Sequence, residues 1–277
     1  MTSSILFFAA ALITLIAAAM LWRDAKQPHD RKNSNIASTI ASTIASLMAA
    51  AIGANVWAIH LLESVTTDGI NFTLATSTAV FTLIVQMVYT FGILRHGIQG
   101  LGLFLLPLTA LPLFLTPILP EAHAPNWVHT TSLLETGHLL LALISYAVLT
   151  LAAIHALMQI LLDRALKKKK SFKLIQALPS LVSIERHMIA QVKMATALIA
   201  VSIITGLLWQ WTQYQHFALF SHKVLLAVFT LAVLIILLIK RHQDSWPTRI
   251  ASRAVLTAYV LFILAYFGVK LINTWIN

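Results

Sequence analysis

Glu135-Thr136-Gly137-His138-Leu139-Leu140-Leu141-Ala142-Leu143-Ile144-Ser145-Tyr146-Ala147-Val148-Leu149-Thr150-Leu151-Ala152-Ala153-Ile154-His155 decides the class of fold. From Leu139 the run continues to Leu162 without an Asp, Glu, Lys or Arg. About 20 apolar residues suffice to cross roughly 30 Å of hydrocarbon as a helix, so this stretch reads as one membrane span. Working outward, segments of the same kind recur along the whole chain, at about 4–22, 36–62, 72–94, 99–119, 133–162, 187–209, 222–239 and 254–272. The third can begin a few residues later, and the fifth is long enough to tilt or protrude. The expected fold is all-α: one integral-membrane domain over 1–277, a bundle of eight transmembrane helices.

Composition agrees. Hydrophobic residues make up 59% of the 277 residues, charged residues only 10%, and mean hydropathy is +0.84. Soluble domains carry about 25% charged residues, so the chain is a membrane protein of several passes.

Basic residues orient it, because Lys and Arg in short loops stay on the cytoplasmic side. Arg23, Lys26, Arg31 and Lys32 follow the first span, and Arg95 follows the third. Arg164, Lys167, Lys168, Lys169, Lys170, Lys173, Arg186 and Lys193 lie between or beside the fifth and sixth; Lys240, Arg241, Arg249 and Arg253 lie between the seventh and eighth. Only Lys223 and Lys270 of the 19 basic residues fall on the other face. Both termini are therefore expected on the non-cytoplasmic side. The first span has the small run Ala17-Ala18-Ala19, but its basic residues follow the apolar stretch, so it is read as retained, not cleaved as a signal peptide.

The net charge of +10 is scattered over four short loops, a pattern for anionic headgroups and not for nucleic acid. The longest polar stretch, a cytoplasmic basic loop at about 163–186, fits the same reading. The chain has no cysteine, which excludes disulfides, thiolate metal sites and thiol exchange within it.

All nine carboxylates, Asp24, Asp30, Glu63, Asp68, Glu121, Glu135, Asp163, Glu185 and Asp244, fall in loops or near span ends. Ion-coupled transporters usually carry a carboxylate near the membrane centre, so conventional secondary transport is disfavoured. Neither a GxxxxGK[ST] loop nor an HExxH pair is present, and no nucleophile is paired with a base, so no enzyme activity is expected. Ala37, Ala41, Ala45, Ala49 and Gly53 form a small-residue stripe on the second span, which predicts close helix approach and a central place in the bundle. Pro107, Pro112 and Pro117, five apart in the fourth span, predict bends.

Eleven histidines remain. His29, His96, His155, His187 and His242 belong to the cytoplasmic side; His60, His123, His129, His138, His216 and His222 belong to the other. At 1.5 Å rise per residue, His155 lies some 25 Å from His138 along the helix, so the two do not share a ligand. His138 and His222 each open a span from the same non-cytoplasmic face, and imidazoles entering a bundle this way can ligate a planar iron cofactor between them. A solvated or hydrogen-bonded structural role is the alternative for each. His60, beside Trp57 and Glu63, is a weaker candidate.

Several short motifs now occur in order: Gly137-His138 with Ser145-Tyr146-Ala147, Leu178-Pro179 with Ser183-Ile184-Glu185-Arg186, Thr205-Gly206-Leu207, His222-Lys223, and Leu264-Ala265-Tyr266-Phe267-Gly268. Together they resemble the cytochrome c assembly protein family, nearest to its small eight-helix inner membrane branch of the YpjD and HemX type. The resemblance covers most of the chain and is strongest from about residue 130 onward.

What the resemblance implies is haem handling at the outer face. Haem-handling members hold iron between external histidines that flank a tryptophan-rich loop; by position these are His138 and His222. The loop 210–221 here lacks the WxWD signature, which removes the feature associated with direct delivery to apocytochrome. Trp209 and Trp211 are at most its remnant, and interface anchors otherwise. The reading is bis-imidazole ligation of haem b between the fifth and seventh spans, with Lys223 placed to meet a propionate or a lipid headgroup. Such a protein holds or passes on haem in cytochrome c-type biogenesis, among other assembly proteins. Two alternatives stay open: a haem-free assembly or regulatory partner of another membrane protein, and a small-molecule permease gated by the fourth span.

Overall fold

A computed structural model describes residues 2–26, 34–61, 69–71, 73–96, 99–119, 127–129, 132–167, 180–215, 221–243 and 246–265. Eight α-helices carry these residues: α1 Thr2–Lys26, α2 Ser34–Leu61, α3 Leu74–His96, α4 Gly102–Leu115, α5 Leu133–Lys167, α6 Leu181–Tyr214, α7 His222–His242 and α8 Thr248–Ile263. A short antiparallel ladder, β1 Gly69–Asn71 with β2 Trp127–His129, pairs Ile70 with Val128.

Among the described residues, six helices are long and apolar enough to cross a membrane: α1, α2, α3, α5, α6 and α7. α4 is shorter and runs into single 3-10 turns at Gln99–Leu101 and Thr116–Ile118. Pro107 and Pro112 sit inside α4. Pro117 falls in the second turn, where the helix tightens and stops. The expected final span, 254–272, lies partly outside the described residues. α5 and α6 also run beyond their expected ends, since α5 reaches Lys167 and α6 begins at Leu181. The flanks of the segment read as a basic loop are therefore helical.

Two compact units divide the chain. The first comprises residues 1–65, 75–119 and 162–180, the second 66–74, 120–161 and 181–277. In the first, α1 packs against α2 and α4 around Phe7, Ala10, Ala11, Ala58, Ile59, Ala79 and Leu113. Buried backbone and amide groups find partners across helices: Trp22 Nε1–H donates to the Leu103 carbonyl at 3.0 Å, and Gln86 donates to Thr14 Oγ1 at 3.0 Å.

The small-residue stripe of α2 does not make the packing face. Ala49 and Gly53 are exposed, nothing would lie within 4 Å of a Cβ at Gly53, and the buried stripe is Ile44, Met48, Ala51, Asn55 and Ala58. Larger side chains bring more dispersion contacts per residue, and the buried alanines of these two helices are Ala10, Ala11, Ala17 and Ala18 of α1 with Ala51 and Ala58 of α2.

In the second unit, α7 packs against α6 and α8. α6 buries Ile184, Met188, Val192, Ala195, Ile199 and Ser202, a helical stripe. Large apolar side chains stand exposed elsewhere, among them Phe91 at 63% and Leu94 at 68%. A soluble protein rarely shows so much exposed apolar surface; lipid is its natural cover.

Candidate functional site

The N-terminal turn of α5 builds the niche that holds His138. Ser132 precedes the helix, and its hydroxyl accepts a hydrogen bond from the Glu135 N–H at 3.3 Å, satisfying one of the free donors of the first turn. His138 follows, half-buried, with Nδ1 2.8 Å from the carbonyl oxygen of Ser202 on α6. A carbonyl only accepts, so Nδ1 carries the proton and Nε2 keeps its lone pair. The Thr205 hydroxyl donates into the same carbonyl at 3.0 Å.

Gly206 makes this approach possible. A Cβ there would stand 2.7 Å from Cε1 of His138, 3.0 Å from Nδ1 and 3.2 Å from Nε2. The imidazole lies directly against the α6 backbone, and the missing side chain is the space it occupies. Among the described residues, no hydrogen bond is made at Nε2. One further turn along α6, Trp209 has a buried indole N–H without a partner among the described residues, and its ring meets Tyr214 edge-on at 6.0 Å.

His222 is the first residue of α7, exposed, behind a Ser221 cap that accepts from the Val224 N–H. Lys223 is exposed beside it. Among the described residues, no hydrogen bond or ring contact joins His138 to His222; the close partner of His138 is α6. Trp211 is 45% exposed, and both Trp209 and Trp211 are helical, because α6 continues to Tyr214 into the expected loop. His60 is exposed at the end of α2, tilted against Trp57 at 5.6 Å. His123, His216 and Glu63 lie outside the described residues.

Deeper on α5, the Tyr146 ring stacks on Phe262 of α8 at 3.9 Å and 13°, and Thr150 Oγ1 lies 3.4 Å from the Tyr259 hydroxyl. At the other end of the unit, Glu185 of α6 accepts hydrogen bonds from Arg241 of α7 and from the Thr248 hydroxyl of α8, the latter at 2.9 Å. Arg241 also donates to the Trp246 carbonyl at 2.9 Å. One carboxylate thus fastens three helices. Sequence reasoning missed this clamp because its partners lie 56 and 63 residues away in sequence; the Ser183-Ile184-Glu185-Arg186 motif was the available signal.

Several apolar spans with a histidine seated in an inter-helix niche define a polytopic membrane protein, and the cytochrome C assembly protein profile matches residues 1–276. The chain belongs to the cytochrome c assembly protein family. It is similar to Inner membrane protein YpjD of Escherichia coli K12, 31% identical over 184 residues, covering 64% of this chain and 66% of that protein. It is similar also to Protein HemX of Brevibacillus brevis, 27% identical over 158 residues, 56% of this chain and 58% of that one. An uncharacterized 28.8 kDa protein in the nifR3-like 5' region of Azospirillum brasilense is 33% identical over 136 residues, 49% and 50% of the two chains. The matched regions thus span about half to two thirds of these relatives. The chain is a multi-pass inner membrane protein.

Proposed function

We propose that this protein binds haem at the non-cytoplasmic face of the membrane and holds it for cytochrome assembly, with His138 Nε2 as an axial ligand of the iron. The observation that carries the reading is the 2.8 Å hydrogen bond from His138 Nδ1 to the Ser202 carbonyl. A ligating histidine is ordinarily oriented by donating its other ring N–H to a carbonyl or carboxylate, which fixes the tautomer and raises the basicity of the free nitrogen. His138 meets that requirement. His222 is the proposed second ligand, from the start of α7, and Lys223 the partner for a propionate.

Haem bound there supplies an iron centre whose potential depends on its two ligands and on burial. The chain's own part is to orient the imidazole, keep it neutral and wall the site with Trp209 and, less closely, Trp211. Nothing in this role requires a reaction catalysed by the chain. Orientation with both termini outside rests on the segregation of basic residues.

A haem-free assembly partner is the second reading, favoured by the lack of described contact between His222 and His138 and by the missing tryptophan-rich signature. Oxidised and dithionite-reduced absorption spectra of the detergent-purified protein separate the two. A Soret band that shifts on reduction and is lost in both His138→Ala and His222→Ala supports haem. A colourless wild type that also ignores added haemin overturns it in favour of the partner.

A further inference from the structure

The outward face of α6 carries cations on a surface otherwise suited to lipid. Arg186, Ala190, Lys193, Ala197, Ile204 and Leu208 recur at helical spacing and are all exposed, turned away from the buried stripe that runs from Ile184 to Ser202. From Met194 to Tyr214 the helix holds no Asp, Glu, Lys or Arg, and Ile204 is 57% and Leu208 51% exposed on this face. Acyl chains are the natural cover for such side chains.

Depth makes Lys193 informative. Trp209 and Trp211 mark the interface at one end of the span. About 20 helical residues cross the hydrocarbon, which brings its other boundary to about residue 190. The Lys193 Cα thus lies just inside the hydrocarbon on the exposed face, where a bare ammonium is costly. A lysine resolves this by running its stem along the helix and lifting its ammonium to the headgroup layer. Side chains on a helix lean towards its N-terminus, so Lys193 leans towards Arg186, two turns and about 10 Å away. Ala190 between them leaves room at the helix surface.

No carboxylate answers either cation. Glu185, the acid next to Arg186, is engaged by Arg241 of α7 and by the Thr248 hydroxyl of α8. Among the described residues, neither Arg186 nor Lys193 is in an ion pair. Two cations beside one headgroup layer, on a face covered by acyl chains, match a phosphate that carries acyl chains of its own. We propose that Arg186 and Lys193 bind the phosphate of one anionic phospholipid, of the phosphatidylglycerol class, whose chains lie along Ala197, Ile204 and Leu208. The site is separate from the His138 niche and independent of haem. Charge complementarity selects this occupant, because a zwitterionic headgroup brings its own ammonium to the same place. Each Lys or Arg near the surface favours an anionic lipid roughly 5-fold.

The test is native mass spectrometry of the full-length protein, stripped of lipid in detergent and offered phosphatidylglycerol or phosphatidylcholine with the same acyl chains. One phosphatidylglycerol retained in preference to phosphatidylcholine supports the site, provided retention weakens roughly 5-fold in Arg186→Gln and in Lys193→Gln and is kept in Lys193→Arg. Arg95→Gln, which removes an exposed cation of α3, should leave retention unchanged; an equal loss there makes the effect one of overall charge and overturns the site. Equal retention of the two lipids, or unaltered retention in both glutamine variants of α6, also overturns it. So does displacement by soluble glycerol phosphate at the concentration of the lipid, which would make a free phosphate the occupant.

Discussion

Gly206 and His138 occupy one another's space: a side chain on the glycine would place its first carbon 2.7 Å from the imidazole Cε1. The contact ties an unremarkable Thr-Gly-Leu triplet on α6 to a histidine 68 positions earlier on α5. Neither residue forms the niche alone.

Gly206→Ala should therefore displace the His138 ring and break its bond to Ser202. Overpacking of this kind costs typically 1–3 kcal/mol. If His138 is an axial ligand, haem retained per protein falls to near that of His138→Ala, while the helical circular dichroism signal persists. Haem content equal to wild type in Gly206→Ala sinks the link between the niche and the iron.

The Glu185 clamp predicts a stability effect with a chemical signature. Arg241 donates both to the carboxylate and to the Trp246 carbonyl, a two-pronged geometry that a lysine ammonium does not reproduce. Glu185→Ala and Arg241→Lys should each lower stability by about 1–3 kcal/mol, reduced by the partial exposure of both side chains. Unfolding in mixed micelles measures this. An Arg241→Lys variant as stable as wild type removes the two-pronged role.

Two glycines should respond in opposite senses. A Cβ at Gly102 would stand 2.6 Å from Leu21 Cδ1 and 2.7 Å from Tyr89 Cζ, whereas one at Gly53 meets nothing within 4 Å. Gly102→Ala should destabilise by about 1–3 kcal/mol, and Gly53→Ala, inside α2, should stabilise by up to about 1 kcal/mol. Thermal melts of the two variants under one condition decide it; equal shifts contradict the packing described.

How far the chain could be read follows from which forces act locally. The apolar runs announced α1, α2, α3, α5, α6 and α7, because a membrane span needs only length and hydropathy. His138 was legible as a candidate, since a histidine at the mouth of an apolar run has few bland neighbours. Its contacts with Ser202 and Gly206 on α6 were not, because a backbone carbonyl and a missing side chain leave no mark in sequence; the pairing with His222 on α7 concerns a shared ligand and stays a proposal. The stripe of α2 misled for a related reason: small residues permit close approach but do not compel it, and Ile44 and Met48 supplied the contact instead.

Orientation admits a direct measurement, because the chain has no cysteine and a single introduced thiol reports its own side. Ala25→Cys at the end of α1 and Ser180→Cys before α6 should be shielded from a membrane-impermeant maleimide in intact cells and label only after permeabilisation. Leu61→Cys at the end of α2 and Gln213→Cys near the end of α6 should label in intact cells. The prediction follows from basic residues clustering after α1 and between α5 and α6, which retains those loops in the cytoplasm. The reverse pattern would put His138 on the cytoplasmic side and end the proposal of haem held at the outer face, while leaving the His138 and Gly206 contact untouched.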